Sequence, residues 1–145
     1  MEPITTILNR KQKHFHTVSP ETCVTDALQK MHCENVDYLV VIDNYDRYLG
    51  VLSDHDITCR LVVHAKPLSE TAVAEVMNTR LPVANEMDTV ERCMKLMKEH
   101  HVRHLPVFEG YQFLGVVTSD DIIQEVVNNK LNVFDEEANE NFILA

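Results

Sequence analysis

Two short stretches of this 145-residue chain carry residues whose types and spacing can do chemistry. Gly50-Val51-Leu52-Ser53-Asp54-His55-Asp56-Ile57 and Gly115-Val116-Val117-Thr118-Ser119-Asp120-Asp121-Ile122 share one pattern: glycine, two apolar residues, a hydroxyl, two further residues and an aspartate. Each lies where an apolar run gives way to a helical pattern. Free backbone N–H groups and the positive end of the helix dipole there favour an anion such as phosphate. The hydroxyl of Ser53 or Thr118 can donate to a phosphate oxygen. The carboxylate of Asp56 or Asp121 can accept from paired hydroxyls such as a ribose diol. Such a set can hold a nucleoside phosphate, its base slotted among apolar strand residues. The same spacing also describes a helix cap, with Ser53 on first-turn N–H groups and Asp56 complementing the dipole. The residues alone leave both readings open.

The elements that must position these groups occur twice. Val18–Val62 lies over Val83–Val127, the register slipping by one residue where the second hairpin is shorter. Val24, Ala27, Leu28 and Met31 form an apolar stripe at helical spacing, and Val90, Cys93, Met94 and Met97 repeat it. Asp88 with Glu91 predicts a capping box opening the second of these helices. Apolar strands follow at Tyr38–Ile42 and Leu105–Phe108, each turning back into a second strand at Tyr48–Ser53 and Phe113–Thr118. A closing helix carries Ile57, Leu61 and Val62 in one copy and Ile122, Ile123, Val126 and Val127 in the other. Brief strands near His16–Val18 and Leu81–Val83 open each unit. The unit is β-α-β-β-α, and an apolar lead-in recurs before it (Ile4, Ile7 and Asn9; Val73, Val76 and Asn78). We expect an α+β fold of two repeats packed about a pseudo-two-fold axis. The first repeat is 1–64, a polar linker 65–72, the second repeat 73–131 and an acidic tail 132–145. That tail is expected to be solvated, with Phe142-Ile143-Leu144 offering an apolar end for docking.

Composition narrows the function classes. A net charge of −10 argues against neutralising nucleic-acid phosphates, so no nucleic acid is expected. The longest apolar run, Tyr38–Ile42, falls far short of the ~20 residues that span a bilayer, so no membrane is expected. Met1-Glu2-Pro3-Ile4-Thr5-Thr6 shows no signal-peptide pattern, and Cys23, Cys33, Cys59 and Cys93 show no zinc spacing. The expectation is a cytoplasmic protein with reduced, buried thiols. His100, His101 and His104 cluster without the helical pair of a zinc site, so no metal is assigned. No nucleophile–base pair, G-x-S-x-G or Walker loop appears, and adjacent His32 and Cys33 would not face each other on a helix, so no enzyme is expected. Leu96 and Met97 give their helix a second apolar face, suited to a dimer interface or to the core.

These residues together resemble a tandem pair of cystathionine β-synthase (CBS) domains, a Bateman module. Val18-Ser19-Pro20-Glu21-Thr22, His100-His101-Val102-Arg103-His104-Leu105-Pro106-Val107 and the two glycine-to-aspartate stretches carry the resemblance. Ser53-Asp54-His55-Asp56-Ile57 looks most like the small stand-alone bacterial and archaeal members. The resemblance implies a regulatory homodimer that requires no cofactor. It implies a regulatory ligand of the adenosyl class (AMP, ADP, ATP, S-adenosylmethionine or NAD(H)) in the clefts between repeats, and signalling to a protein target in trans. Residue by residue it implies Ser53 and Thr118 near phosphate and Asp56 and Asp121 on ribose. Arg103 and His104 form a basic pair at phosphate, while Arg80, Leu81 and Val83, with His16 and Thr17, lie along the base. His55 lies inside the loop at the helix start, within reach of phosphate or solvated. The first repeat departs from the pattern, with Asp37-Tyr38 in place of the basic pair and Val41 in place of proline. One competent cleft is therefore expected, built on Thr118 and Asp121 and supplied with cations by Arg80, Arg103 and His104. The alternative is a ligand-free dimeric interaction module in which both motifs only cap helices. A third reading is redox sensing through Cys33 or Cys59.

Overall fold

The computed structural model describes residues 2–11 and 16–136. A short helix, α1 (Thr5–Arg10), precedes the first copy, which runs β1 (Thr17–Val18), α2 (Val24–Glu34), β2 (Tyr38–Ile42), β3 (Tyr48–Ser53) and α3 (Asp54–Val63). A 3-10 turn at Leu68–Glu70 leads to α4 (Val73–Val76). The second copy follows as β4 (Ala84–Asn85), α5 (Val90–His100), β5 (His104–Glu109), β6 (Gln112–Thr118) and α6 (Ser119–Glu136). Each copy is the expected β-α-β-β-α unit, and the fold is α+β. The apolar end at Phe142–Leu144 lies outside the described residues.

The two three-stranded sheets have the same order, β1-β2-β3 and β4-β5-β6. In each, a parallel pair precedes an antiparallel hairpin with a bulge, between Val41 and Ile42 or between Val107 and Phe108. α2 and α5 both end on a left-handed residue, Asn35 and His101, which turns the chain into the next strand. β2 is apolar throughout because both its faces are covered. Leu39 and Val41 join Leu52 under their own helices, whereas Val40 and Val51 point the other way and meet Val116 of the second copy.

The lead-in helices are exchanged. Ile4, just before α1, and Ile7 within it are buried in the second copy's core, and Val73 and Val76 of α4 in the first copy's. The crossing at α4 explains Gly50: Val51 N–H donates to the Asn78 carbonyl (3.1 Å) and Asn78 N–H returns to Val51 (2.8 Å). A Cβ on Gly50 would sit 2.7 Å from that carbonyl oxygen. The stretch 65–72 is packed as well as polar. Thr71 is buried, its carbonyl accepts from Val24 N–H (2.8 Å), and its hydroxyl donates to the Pro67 carbonyl (2.8 Å).

Four expectations need correction. The second opening strand is Ala84–Asn85, after Leu81–Val83, because Pro82 has no N–H for a ladder. Thr89, one residue after Asp88, caps α5 by accepting from Arg92 N–H (3.1 Å), while Asp88 accepts from Asn85 N–H (2.9 Å). Cys93 is buried, which pushes its thiol up to about 12, but Cys33 and Cys59 are exposed and Cys23 is partly so. Leu96 and Met97 lie in the chain's own core, whereas Met94, expected on the inner stripe, is exposed.

Candidate functional site

Both glycine-to-aspartate motifs are realised as strand-to-helix junctions with closed caps. Ser53 Oγ accepts from Asp56 N–H (3.1 Å), while Asp56 Oδ2 accepts from Ser53 N–H (3.1 Å) and from the Ser53 hydroxyl (2.8 Å). Thr118 Oγ1 accepts from Asp121 N–H (3.1 Å), and Asp121 Oδ2 accepts from Thr118 N–H (2.8 Å). The capping reading is thus met in both copies. Among the described residues, the Oδ1 oxygens of Asp56 and Asp121 have no hydrogen-bond partner, so each carboxylate keeps one oxygen for another donor.

Each cap opens onto a cleft whose far wall comes from the other repeat. Ser53, His55 and Asp56 face Asn78, Leu81 and the turn His100–His104 across a space of about 660 Å3. Thr118, Asp120 and Asp121 face Lys11, His16 and the turn Met31–Tyr38 across about 1040 Å3. This crossing corrects the expected supply of cations. Arg103 and His104 lie opposite Ser53 and Asp56, while Thr118 and Asp121 look onto Asp37 and Tyr38. A smaller hollow of about 230 Å3, between Arg60, His64, Lys66 and Glu75, contains no motif residue.

The two turns meet at the centre of the molecule. His104 is 6% exposed, its ring centroid 4.8 Å from that of Tyr38 and its Nε2 3.5 Å from Asp37 Oδ1. Burial holds the His104 pKa below the ordinary histidine value, against the upward pull of Asp37. Burial likewise raises Tyr38, with the Lys11 ammonium pulling the other way. Arg103 extends to the rim of the first cleft, Nη2 3.7 Å from Asp54 Oδ1, with both side chains more than half exposed. At its N-terminus α3 donates Asp54 N–H to the Asp37 carbonyl (3.0 Å), and α6 repeats this with Ser119 N–H to Arg103 (2.9 Å).

Of the anticipated residues, Ser53, His55, Asp56, Leu81, Arg103 and His104 converge on the first cleft. His16, Thr118 and Asp121 line the second. His16 Nδ1 lies 2.6 Å from Glu34 Oε2. Three residues are not among the lining. Arg80 is exposed with its N–H on Asn78 Oδ1 (2.8 Å), Val83 is 52% exposed, and Thr17 sits in β1 with its carbonyl held by Lys30. Lys11 was missed, although the lead-in repeat, continued two residues past Asn9 and Asn78, sets it over Arg80. No three metal-ligating side chains converge among the described residues; His55 Nε2 and Cys59 Sγ, one turn apart on α3, form a pair at 3.5 Å.

The CBS-domain family model matches residues 9–62 and 73–128. The chain belongs to the CBS-domain family. It is similar to the CBS domain-containing protein YhcV of Bacillus subtilis, 30% identical over 114 residues, 79% of this chain and 80% of that protein. A solved CBS-domain structure superposes with a TM-score of 0.81 at 28% identity, covering 88% of this chain and 99% of that one. The solved structure of CBSX2 in complex with AMP gives a TM-score of 0.70 at 26% identity, over 86% and 97%. No helix among the described residues is long and apolar enough to cross a membrane.

Proposed function

We propose that this CBS pair is a regulatory protein whose first cleft binds a phosphorylated adenosyl ligand of the AMP, ADP or ATP class. The observation that carries the reading is the convergence of Ser53, Asp56, Arg103 and His104 on one space of about 660 Å3. A volume of that size suits a nucleotide-sized molecule. Asp56 Oδ1 takes a ribose hydroxyl, Ser53 holds that carboxylate in place through its own hydroxyl and N–H, and Arg103 supplies charge for phosphate at the rim. The AMP bound in a similar CBS structure supports the ligand class. Because each cleft has one wall from each repeat, a ligand there biases their relative packing, by no more than its differential affinity for the two arrangements.

Partner signalling in trans rests on exposed apolar side chains on the helices. Leu61, Val62 and Val63 on α3, Met94 on α5, and Ile123 and Val127 on α6 face solvent. Those faces suit a homodimer and a protein target. The exposed free thiols suit a reducing compartment, and we assign the protein to the cytoplasm on that basis.

The second reading, a ligand-free interaction module, is favoured by one observation: both motifs are satisfied as caps without any ligand. A thermal-melt panel with AMP, ADP, ATP, S-adenosylmethionine and NADH separates the two. A ligand at 100 times its Kd adds about 2.7 kcal/mol. That is a rise of several degrees at ~2–4 °C per kcal/mol. A rise with AMP, ADP or ATP supports the ligand reading. A rise with S-adenosylmethionine or NADH alone moves the ligand to another adenosyl class, and flat melts throughout support the interaction module.

A further inference from the structure

The two clefts carry equivalent basic arms in different positions. Aligning the lead-ins sets Ile4 on Val73, Ile7 on Val76 and Asn9 on Asn78, and the aligned apolar residues are buried alike in the opposite cores. Two residues further on, Lys11 matches Arg80. Lys11 reaches into the second cleft: its Nζ donates to Asp121 Oδ2 (2.7 Å) and to the Val116 carbonyl (2.9 Å), and lies 5.9 Å from the centroid of the Tyr38 ring. Both members of this ion pair are partly buried. Arg80 is exposed, and its side chain has no partner among the described residues. No cation bonds to Asp56 among them either, although Asp56 stands where Asp121 stands in the other copy.

Resting on the ligand reading above, we infer that Lys11 is a specificity-determining latch: it occupies the ribose-facing carboxylate of the second cleft and keeps that cleft closed to adenosyl ligands. A diol approaching the free Oδ1 of Asp121 meets, beside it on Oδ2, an ammonium already held by that carboxylate, a carbonyl and an aromatic face, so the carboxylate's charge is spent and the approach crowded. A site competent only part of the time has its apparent Kd raised by the inverse of that fraction; a latch closed 99% of the time weakens binding about 100-fold. Among the described residues the first cleft has no such occupant. Two duplicated pockets thereby give one ligand per chain.

Titration calorimetry with adenosine and with AMP tests this. Adenosine is the probe for the second cleft because, lacking phosphate, it is not opposed by Glu34, Asp37 and Asp120 along that wall. The wild type is expected to bind one adenosine per chain, and Lys11→Met, which keeps the apolar stem and removes the ammonium, two. Adding Asp121→Asn to that variant returns the count to one. Lys11→Gln is the second variant should the methionine disturb folding, which a far-UV spectrum and a melt reveal. Two adenosines on the wild type, or one on both Lys11 variants, overturns the latch and leaves the first cleft standing. If the wild type and both variants bind neither adenosine nor AMP, the ligand reading fails and the latch with it.

Discussion

The two clefts descend from one duplicated unit, yet they face different chemistry. Their caps share the reciprocal backbone bonds, Ser53 with Asp56 and Thr118 with Asp121, at similar distances, and differ in that Asp56 Oδ2 also takes the Ser53 hydroxyl where Asp121 Oδ2 takes Lys11. Their far walls differ further. The first cleft looks onto Arg103 and His104 with His55, His100 and His101 nearby, and the second onto Glu34, Asp37 and Tyr38 with Lys11 laid across its aspartate. Capping geometry is needed to start each helix and therefore persists whether or not a ligand binds. The turn between α2 and β2, or between α5 and β5, carries no such duty, so its side chains are free to diverge. A motif held by folding says less about binding than the residues opposite it.

The largest expected effect comes from erasing the difference. Replacing the Arg103-His104 turn by its counterpart, as Arg103→Asp with His104→Tyr, should lower AMP affinity at least 100-fold by calorimetry. An AMP Kd within threefold of wild type would show that the far wall does not choose the ligand. Next is Gly50→Ala, whose Cβ meets the Asn78 carbonyl oxygen at 2.7 Å. Overpacking against backbone costs about 1–3 kcal/mol. Because Asn78 and Leu81 line the first cleft, urea unfolding and AMP titration should both register it. An unchanged midpoint would contradict the close crossing.

A smaller effect separates the caps from the ligand. Asp56→Ala and Asp121→Ala should each lower stability in urea by about 0.5–2 kcal/mol, the usual cost of a lost cap. Only the first should also abolish the AMP-dependent rise in melting temperature. The smallest effect is on pH. Burial keeps the folded His104 pKa below its unfolded value near 6.5, so the unfolded chain takes up a proton first as pH falls. Stability is full above about pH 6.5 and declines below it. Melts between pH 7.5 and 5.5 should show a slope that His104→Asn reduces. The same slope in the variant would assign it to another group. Tyr38, the counterpart in the second cleft, has its pKa raised by burial and contributes nothing over that range.

Much of this frame was legible in the residues. Apolar stripes at helical spacing in α2 and α5, the paired hairpins and the repeated lead-ins each follow from local pattern, and the structure has them at nearly the same positions. Leu81–Val83 misled because it is apolar, while the two-residue β4 depends on pairing with β5 beyond Pro82. Cys33 and Cys59 sit on the solvent sides of their helices, a question of facing that cysteine content does not settle. The crossing that brings Arg103 to Asp56 was hidden for a different reason. It is set by Val40, Val51 and Val116 packing the two sheets together, and no local spacing encodes which half a cap will face. Lys11 was hidden because a lone lysine after a short helix has no pattern until its aspartate is in view.

The most direct test of the central claim is AMP titration calorimetry on the wild type, Asp56→Asn and Asp121→Asn under one set of conditions. The account predicts one AMP per chain for the wild type, binding weakened at least tenfold in Asp56→Asn, and an affinity within threefold of wild type in Asp121→Asn. Binding lost in Asp121→Asn and kept in Asp56→Asn would contradict it, placing the ligand in the acidic cleft that Lys11 spans.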